Sequence, residues 1–205
     1  MLHKQDLNEL LNSGLTRLII STSPLERGQF QKIYHSDEYE NLLRGLNLLL
    51  RLNQHLDEPV NIEISFRSSM SKRQLLNLED YVKYIKPYIK DKNRINVLLT
   101  GYDNWGGMIS QSDLLGKMEL AAKLNFKFRP CIRTFHASFG WDGAVMACGC
   151  RFTNYDNGNG LIIGDLNSSA LKEIWQGSKI RMLRRSFINN NMPVVCSNCT
   201  MYNSV

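Results

Sequence analysis

Apolar residues follow two alternating rhythms over the first 125 positions: a short unbroken run, then a stripe recurring every three to four residues. The run Thr16-Arg17-Leu18-Ile19-Ile20-Ser21 is dense and β-branched, as a buried parallel strand should be. After a loop with Pro24 and Gly28, Ser36 is placed to cap a helix whose Tyr39, Leu42, Leu43, Leu46, Leu49 and Leu50 keep the helical period. Val60-Asn61-Ile62-Glu63-Ile64-Ser65 repeats the strand signal. Ser71-Lys72-Arg73-Gln74 then has the form of a capping box, and Leu75, Leu78, Val82, Ile85 and Ile89 continue as one stripe. A third run, Ile95-Asn96-Val97-Leu98-Leu99-Thr100, leads into the polar loop Gly101 to Gly107 and a predicted helix carrying Leu114, Leu115, Met118, Ala121 and Ala122.

Strands alternating with amphipathic helices imply an α/β fold with a parallel sheet and right-handed crossovers. Three such strands do not close a barrel. Leu7 to Asn12, stopped by Gly14, has the look of a helix end with earlier units left off. The expectation is a partial (β/α) barrel, the later part of something larger, with the edge near Thr16 as a docking surface for a partner chain or a second copy. After Pro130 the composition turns to Gly, Asn, Asp and Cys, and the helical period is lost until Ser168. Ala144-Val145-Met146-Ala147 behind Trp141-Asp142-Gly143 predicts a hairpin strand. Leu171, Ile174, Trp175, Ile180, Leu183 and Phe187 predict helix interrupted near Gly177. The predicted domains are therefore 1–128 and 129–205.

The chain has 205 residues, 43% of them hydrophobic, and a formal charge of +6. Its Lys and Arg residues are spread along the length, so nucleic acid is not an expected partner. Lys179, Arg181, Arg184 and Arg185 make the one basic cluster, read as a solvated helix face, with an acidic partner or leader peptide as the functional alternative. The N-terminus, Met1-Leu2-His3-Lys4-Gln5-Asp6, carries no apolar stretch of signal or anchor length, so a cytoplasmic protein without membrane contact is expected.

All five cysteines lie at position 131 or beyond: Cys131, Cys148, Cys150, Cys196 and Cys199. Without secretory features these read as free or metal-bound thiols in a reducing compartment, not as a disulfide framework. Cys196-Ser197-Asn198-Cys199 can aim both sulfurs at one metal while intervening amides bond to them. Zinc, iron-sulfur and redox sites all use such a pair. His136 is the histidine nearest the cysteines in sequence and is not expected to ligate.

Cys131, Gly143 and Cys148, followed by Leu161-Ile162-Ile163-Gly164-Asp165-Leu166, Leu171-Lys172-Glu173-Ile174-Trp175, Arg184 and the Cys196 to Cys199 pair, resemble the SPASM domain. That resemblance implies the C-terminal extension of a radical S-adenosylmethionine enzyme, an oxidoreductase-like protein whose extension carries auxiliary 4Fe-4S clusters. Ile20-Ser21-Thr22-Ser23, Phe30 to Tyr34 and Tyr39 to Leu46 are similar to the fourth strand and following helix of the radical barrel. The Cys-x-x-x-Cys-x-x-Cys motif of the catalytic cluster is missing from this sequence, so the chain alone is not expected to cleave S-adenosylmethionine. The ligands suffice for one auxiliary cluster, held by Cys131, Cys148, Cys196 and Cys199, with Cys150 able to replace Cys148. A structural zinc ion in a non-catalytic, four-cysteine interaction module is the competing reading.

If the chain is half a radical barrel, Ser21, Ser23, Arg67, Asp103 and Asn104, at or beyond the C-terminal ends of the strands, would line the cavity where S-adenosylmethionine and substrate meet. Arg67 is the strongest of these, since an arginine after a buried strand usually serves an anion or an internal carboxylate. A peptide or protein substrate is what the family resemblance implies.

Overall fold

The computed structural model describes residues 2–115, 118–149 and 161–204. The chain divides into two compact units, Met1–Tyr102 with Leu114–Glu119, and Asp103–Asp113 with Leu120–Val205. The predicted division at residue 128 falls inside the second unit. Residues 103–113 and 120–128 belong there because Asn104 and Lys127 bond to the segment around Cys199.

The first unit begins with α1 (Leu7–Asn12), capped by Asp6 accepting from the Asn8 and Glu9 amides, and enters β1 (Arg17–Thr22). Next come α2 (Arg27–Tyr34), α3 (Tyr39–Asn53), β2 (Asn61–Arg67), α4 (Lys72–Leu76), α5 (Glu79–Tyr84) and β3 (Ile95–Thr100). The sheet order is β1-β2-β3, parallel throughout, with Ser21 opposite Ser65 and Arg67 opposite Thr100.

Period-two alternation sorts β2 into a core face of Ile62, Ile64 and Phe66, each fully buried, and a face bearing Asn61 and Glu63. The core face packs with Leu43, Leu46, Leu49 and Leu50 of α3 and with Leu75, Tyr81 and Ile85. On the other face Arg17 pairs with Glu63 at 2.7 Å, while Ile19 and Leu98 stand exposed. Parallel sheets are normally covered on both faces. Here the described helices supply the core of one face, as in a segment of barrel wall.

Asn53, fully buried at the end of α3, joins the helix to the sheet. Its Nδ2 donates to the carbonyls of Val60 and Asn93 at 3.0 and 3.2 Å, and its Oδ1 accepts from the Val60 amide at 2.9 Å. The stripe predicted from Leu75 to Ile89 is broken into α4, α5 and a short turn at Lys86–Tyr88. Pro87 has no amide proton to continue α5.

The second unit holds an antiparallel sheet, order β4-β5-β6, made of Ser138–Phe139, Ala144–Met146 and Ile162–Asp165. Gly143, at φ +91°, makes the β4–β5 turn, and the Asn167 side chain donates to the Asp142 carbonyl beside it. Helices α6 (Leu171–Gln176), α7 (Ser178–Ile188) and α8 (Val194–Asn198) follow. Val145, Leu161, Ile163, Ile174, Ile180, Leu183 and Phe187 form this unit's core.

The helix expected through Leu114 to Ala122 is not found among the described residues, where only a single turn at Gln111–Asp113 is helical. Leu115 is exposed and Leu114, Met118 and Ala121 are only partly buried, so little burial rewards a helix there. No described helix is long and apolar enough to cross a membrane.

Candidate metal centre

The Cys196–Cys199 loop is first ordered locally. In α8 the Cys196 and Ser197 amides donate to the Pro193 carbonyl at 2.8 and 2.9 Å, and the Cys199 amide donates to Cys196 O at 3.3 Å. The Met201 amide donates to the Cys199 sulfur at 3.3 Å, a contact that disperses charge on a thiolate.

Upstream residues then hold the loop from outside. Lys127, only 4% exposed, donates to the carbonyls of Cys196, Ser197 and Cys199 at 2.7, 3.0 and 2.7 Å. Its ammonium also lies 5.5 Å from the centre of the Tyr202 ring. Asn104 donates through Nδ2 to Asn198 O at 2.7 Å and accepts at Oδ1 from the amides of Gly106 and Thr200. Gly107, at φ +98°, lies so near Asn198 that a Cβ would come within 3.2 Å of it.

Cys131 opens the turn Ile132–Phe135 and is stabilised through its carbonyl, which accepts from the Thr134 amide and hydroxyl at 2.9 and 2.8 Å. The turn also pairs with the chain beyond the second cysteine pair: Ile132 N donates to Asn203 O at 2.7 Å, and Cys131 forms an antiparallel bridge with Ser204. Arg184 donates twice to Thr134 O and lies over the rings of Phe135 and Trp175. It is thus withdrawn from the predicted basic face, leaving Lys179, Arg181 and Arg185 exposed. His136 bonds through Nδ1 to Ile132 O.

Cys148, two residues beyond β5, packs with Cys131 and Cys196 against the core of this unit. The four described cysteines are free thiols. Burial pushes the Cys196 thiol up to about 12, and Cys148, Cys199 and Cys131 push in the same direction, in that order, with Lys127 opposing. Burial lowers the Lys127 ammonium, against upward contributions from Cys199, Cys196 and Cys131. Among the described residues no three His, Cys, Asp or Glu side chains stand at the spacing of ligands to one metal ion.

Of the other residues singled out in the sequence, Ser21 and Arg67 are exposed near the C-terminal end of the parallel sheet. Ser23 is buried, its amide donating to the Tyr34 hydroxyl and its hydroxyl to Pro24 O. Asp103 and Asn104 belong to the second unit, where both meet Thr200. Cys150 lies outside the described residues, as does the Asn157–Gly160 loop. Lys127 had no sequence signal of its own: between Phe126 and Phe128, alternation would point the aromatic rings inward and the lysine out. The fold does the reverse, with Phe126 80% and Phe128 68% exposed.

Residues 131–200 match the SPASM family, an iron-sulfur cluster-binding domain. The match covers about a third of the chain, and that segment is similar to the family. The crystal structure of BtrN in complex with AdoMet and 2-DOIA aligns over 97% of this chain and 78% of that one, at 12% identity and a TM-score of 0.38. No curated protein matches in sequence.

Proposed function

We propose that this chain is the C-terminal portion of a radical S-adenosylmethionine/SPASM protein whose Cys131, Cys148, Cys196 and Cys199 hold one auxiliary 4Fe-4S cluster. The observation that supports the reading is that Cys131, Cys148 and Cys196 pack against one core beside the locally ordered Cys196–Cys199 loop. Burial first, and then the neighbouring Cys148, Cys199 and Cys131 sulfurs, raise the Cys196 thiol, and a bound cation would offset both. When bound, the cluster supplies an electron store, or an open iron that positions substrate if only three thiolates ligate it. The chain's own part is to gather the sulfurs, bury them against the core and satisfy the loop carbonyls. Cys150 is the alternative to Cys148.

The cluster that cleaves S-adenosylmethionine would come from sequence outside these 205 residues. Ser21 and Arg67, near the C-terminal end of the sheet, would then face that cofactor and a peptide or protein substrate in the reducing cytoplasm. The test is iron, acid-labile sulfide and zinc per chain after purification without oxygen. About four irons and four sulfides are expected. About one zinc with no sulfide would overturn the reading in favour of a four-cysteine zinc-binding interaction module.

A further inference from the structure

The Lys127 contacts point beyond loop architecture. Three carbonyls surround Nζ within 3.0 Å, and an ammonium has three N–H groups whereas a neutral amine has two. The geometry therefore uses every donor of a charged lysine, and uses it on the peptide groups of both Cys196 and Cys199. Lys123, from the same segment, donates to the Asn198 side chain at 3.1 Å, so both lysines bond to the loop that joins the two cysteines. Lys127 lies outside the stretch matched by the SPASM family, which begins at Cys131.

We propose that Lys127 is the positioning residue and fixed cation of the cluster, holding the Cys196–Cys199 loop in its ligating shape and favouring the reduced state. The inference rests on the auxiliary-cluster reading above. The physical cause is Coulombic. Reduction adds one negative charge to the cluster, and a cation screened from water by burial stabilises that charge far more than an exposed one would. No covalent bond forms or breaks, and the electron comes from whatever reductant poises the measurement.

The experiment is anaerobic reconstitution with iron and sulfide of wild type, Lys127→Met, Lys127→Gln and Lys127→Arg. Iron and sulfide content are measured, followed by a dye-mediated redox titration of the cluster absorbance. Both neutral variants should hold about tenfold less reduced cluster, relative to oxidised, at the wild-type midpoint, equivalent to about 59 mV for one electron. Lys127→Arg should stay within about threefold of wild type, and Lys127→Met should also load less iron.

Neutral variants that load fully and titrate with wild type would overturn the proposal, as would an Arg variant shifted as far as the neutral ones. Circular dichroism of the metal-free proteins reports folding. If Lys127→Met does not fold, the Gln and Arg variants carry the comparison. Wild type that takes up no sulfide would sink the cluster reading and this proposal together, whereas a loaded wild type with unaffected variants sinks this proposal alone.

Discussion

Asn104 and Thr200 bond to each other in both directions: the Asn104 amide donates to the Thr200 hydroxyl at 3.1 Å, and the Thr200 amide donates to the Asn104 side-chain oxygen at 3.2 Å. With Nδ2 on Asn198 O, one buried side chain brackets Cys199 from both sides in sequence. Asn104→Ala leaves those partners without their bonds in a half-dry environment, a loss of about 1–3 kcal/mol. It should lower the melting temperature of the metal-free protein and reduce iron uptake on reconstitution, while Asn104→Asp, which keeps the acceptor, should lose less.

Replacement of Cys196 or Cys199 by Ser should abolish stable metal binding, because each supplies half of a locally ordered pair. Metal content after desalting decides this. Cys150→Ser should leave iron and sulfide at the wild-type level if Cys148 is the ligand, and Cys148→Ser should then reduce both.

The metal-free protein should lose stability in alkali through Cys196. Its thiol is raised from 9.0 to about 12 in the folded chain, so both states are protonated below 9.0 and the unfolded state alone gives up its proton above it. The folded state then binds more protons, and stability declines as pH rises through that window. Thermal melts between about pH 8 and about pH 11 should show a steeper decline for wild type than for Cys196→Ala.

Gly164 lies against the fully packed end of Ile174: an added Cβ would come within 2.6 Å of Ile174 Cγ2 and 2.7 Å of Cγ1. Gly164→Ala should therefore destabilise the second unit by about 1–3 kcal/mol, as overpacking does. Adding Ile174→Ala, which removes the obstructing atoms, should cost less than the two changes summed. A double-mutant cycle by chemical denaturation measures this coupling.

The first unit offers a test of helix-to-sheet attachment. Asn53→Ala strands the Val60 amide and two carbonyls in a site closed to water, a loss of about 1–3 kcal/mol or more. Asn53→Asp, which keeps the acceptor for Val60 N, is expected to recover little, since it places a carboxylate against two carbonyls. Urea denaturation of the three proteins gives the order.

Strands were legible because their signal is local. The runs near Thr16, Val60 and Ile95 fall within two residues of β1, β2 and β3, and β3 coincides with its run. The hairpin at Gly143 was legible because glycine readily takes the φ of +91° that its turn needs, and the break at Gly177 because glycine is a poor helix former. The segment from Leu114 to Ala122 misled because its helical spacing is not backed by burial. Helix α2 escaped notice, having one buried residue, Phe30, and no side-chain cap.

At the candidate metal centre the cysteines announced themselves by type and spacing. Asn104 was singled out for its place beyond a strand end and not for its bonds to the cysteine loop, and Lys127 not at all, because a polar residue that bonds some 70 to 96 positions away leaves no periodic trace. Arg184, counted in a basic face, turned inward because Phe135, Trp175 and a carbonyl together offer a guanidinium more than water does.

Those long spans also set an order of assembly. During synthesis Cys131 and Cys148 leave the ribosome well before the loop that Asn104 and Lys127 grip, and the strand pairing Ile132 with Asn203 comes later still. Contacts of such sequence separation form last. A chain still being made thus exposes Cys131, Cys148 and Cys150 with no finished cradle, so on the proposed cluster reading metal would be captured only after translation has passed Thr200.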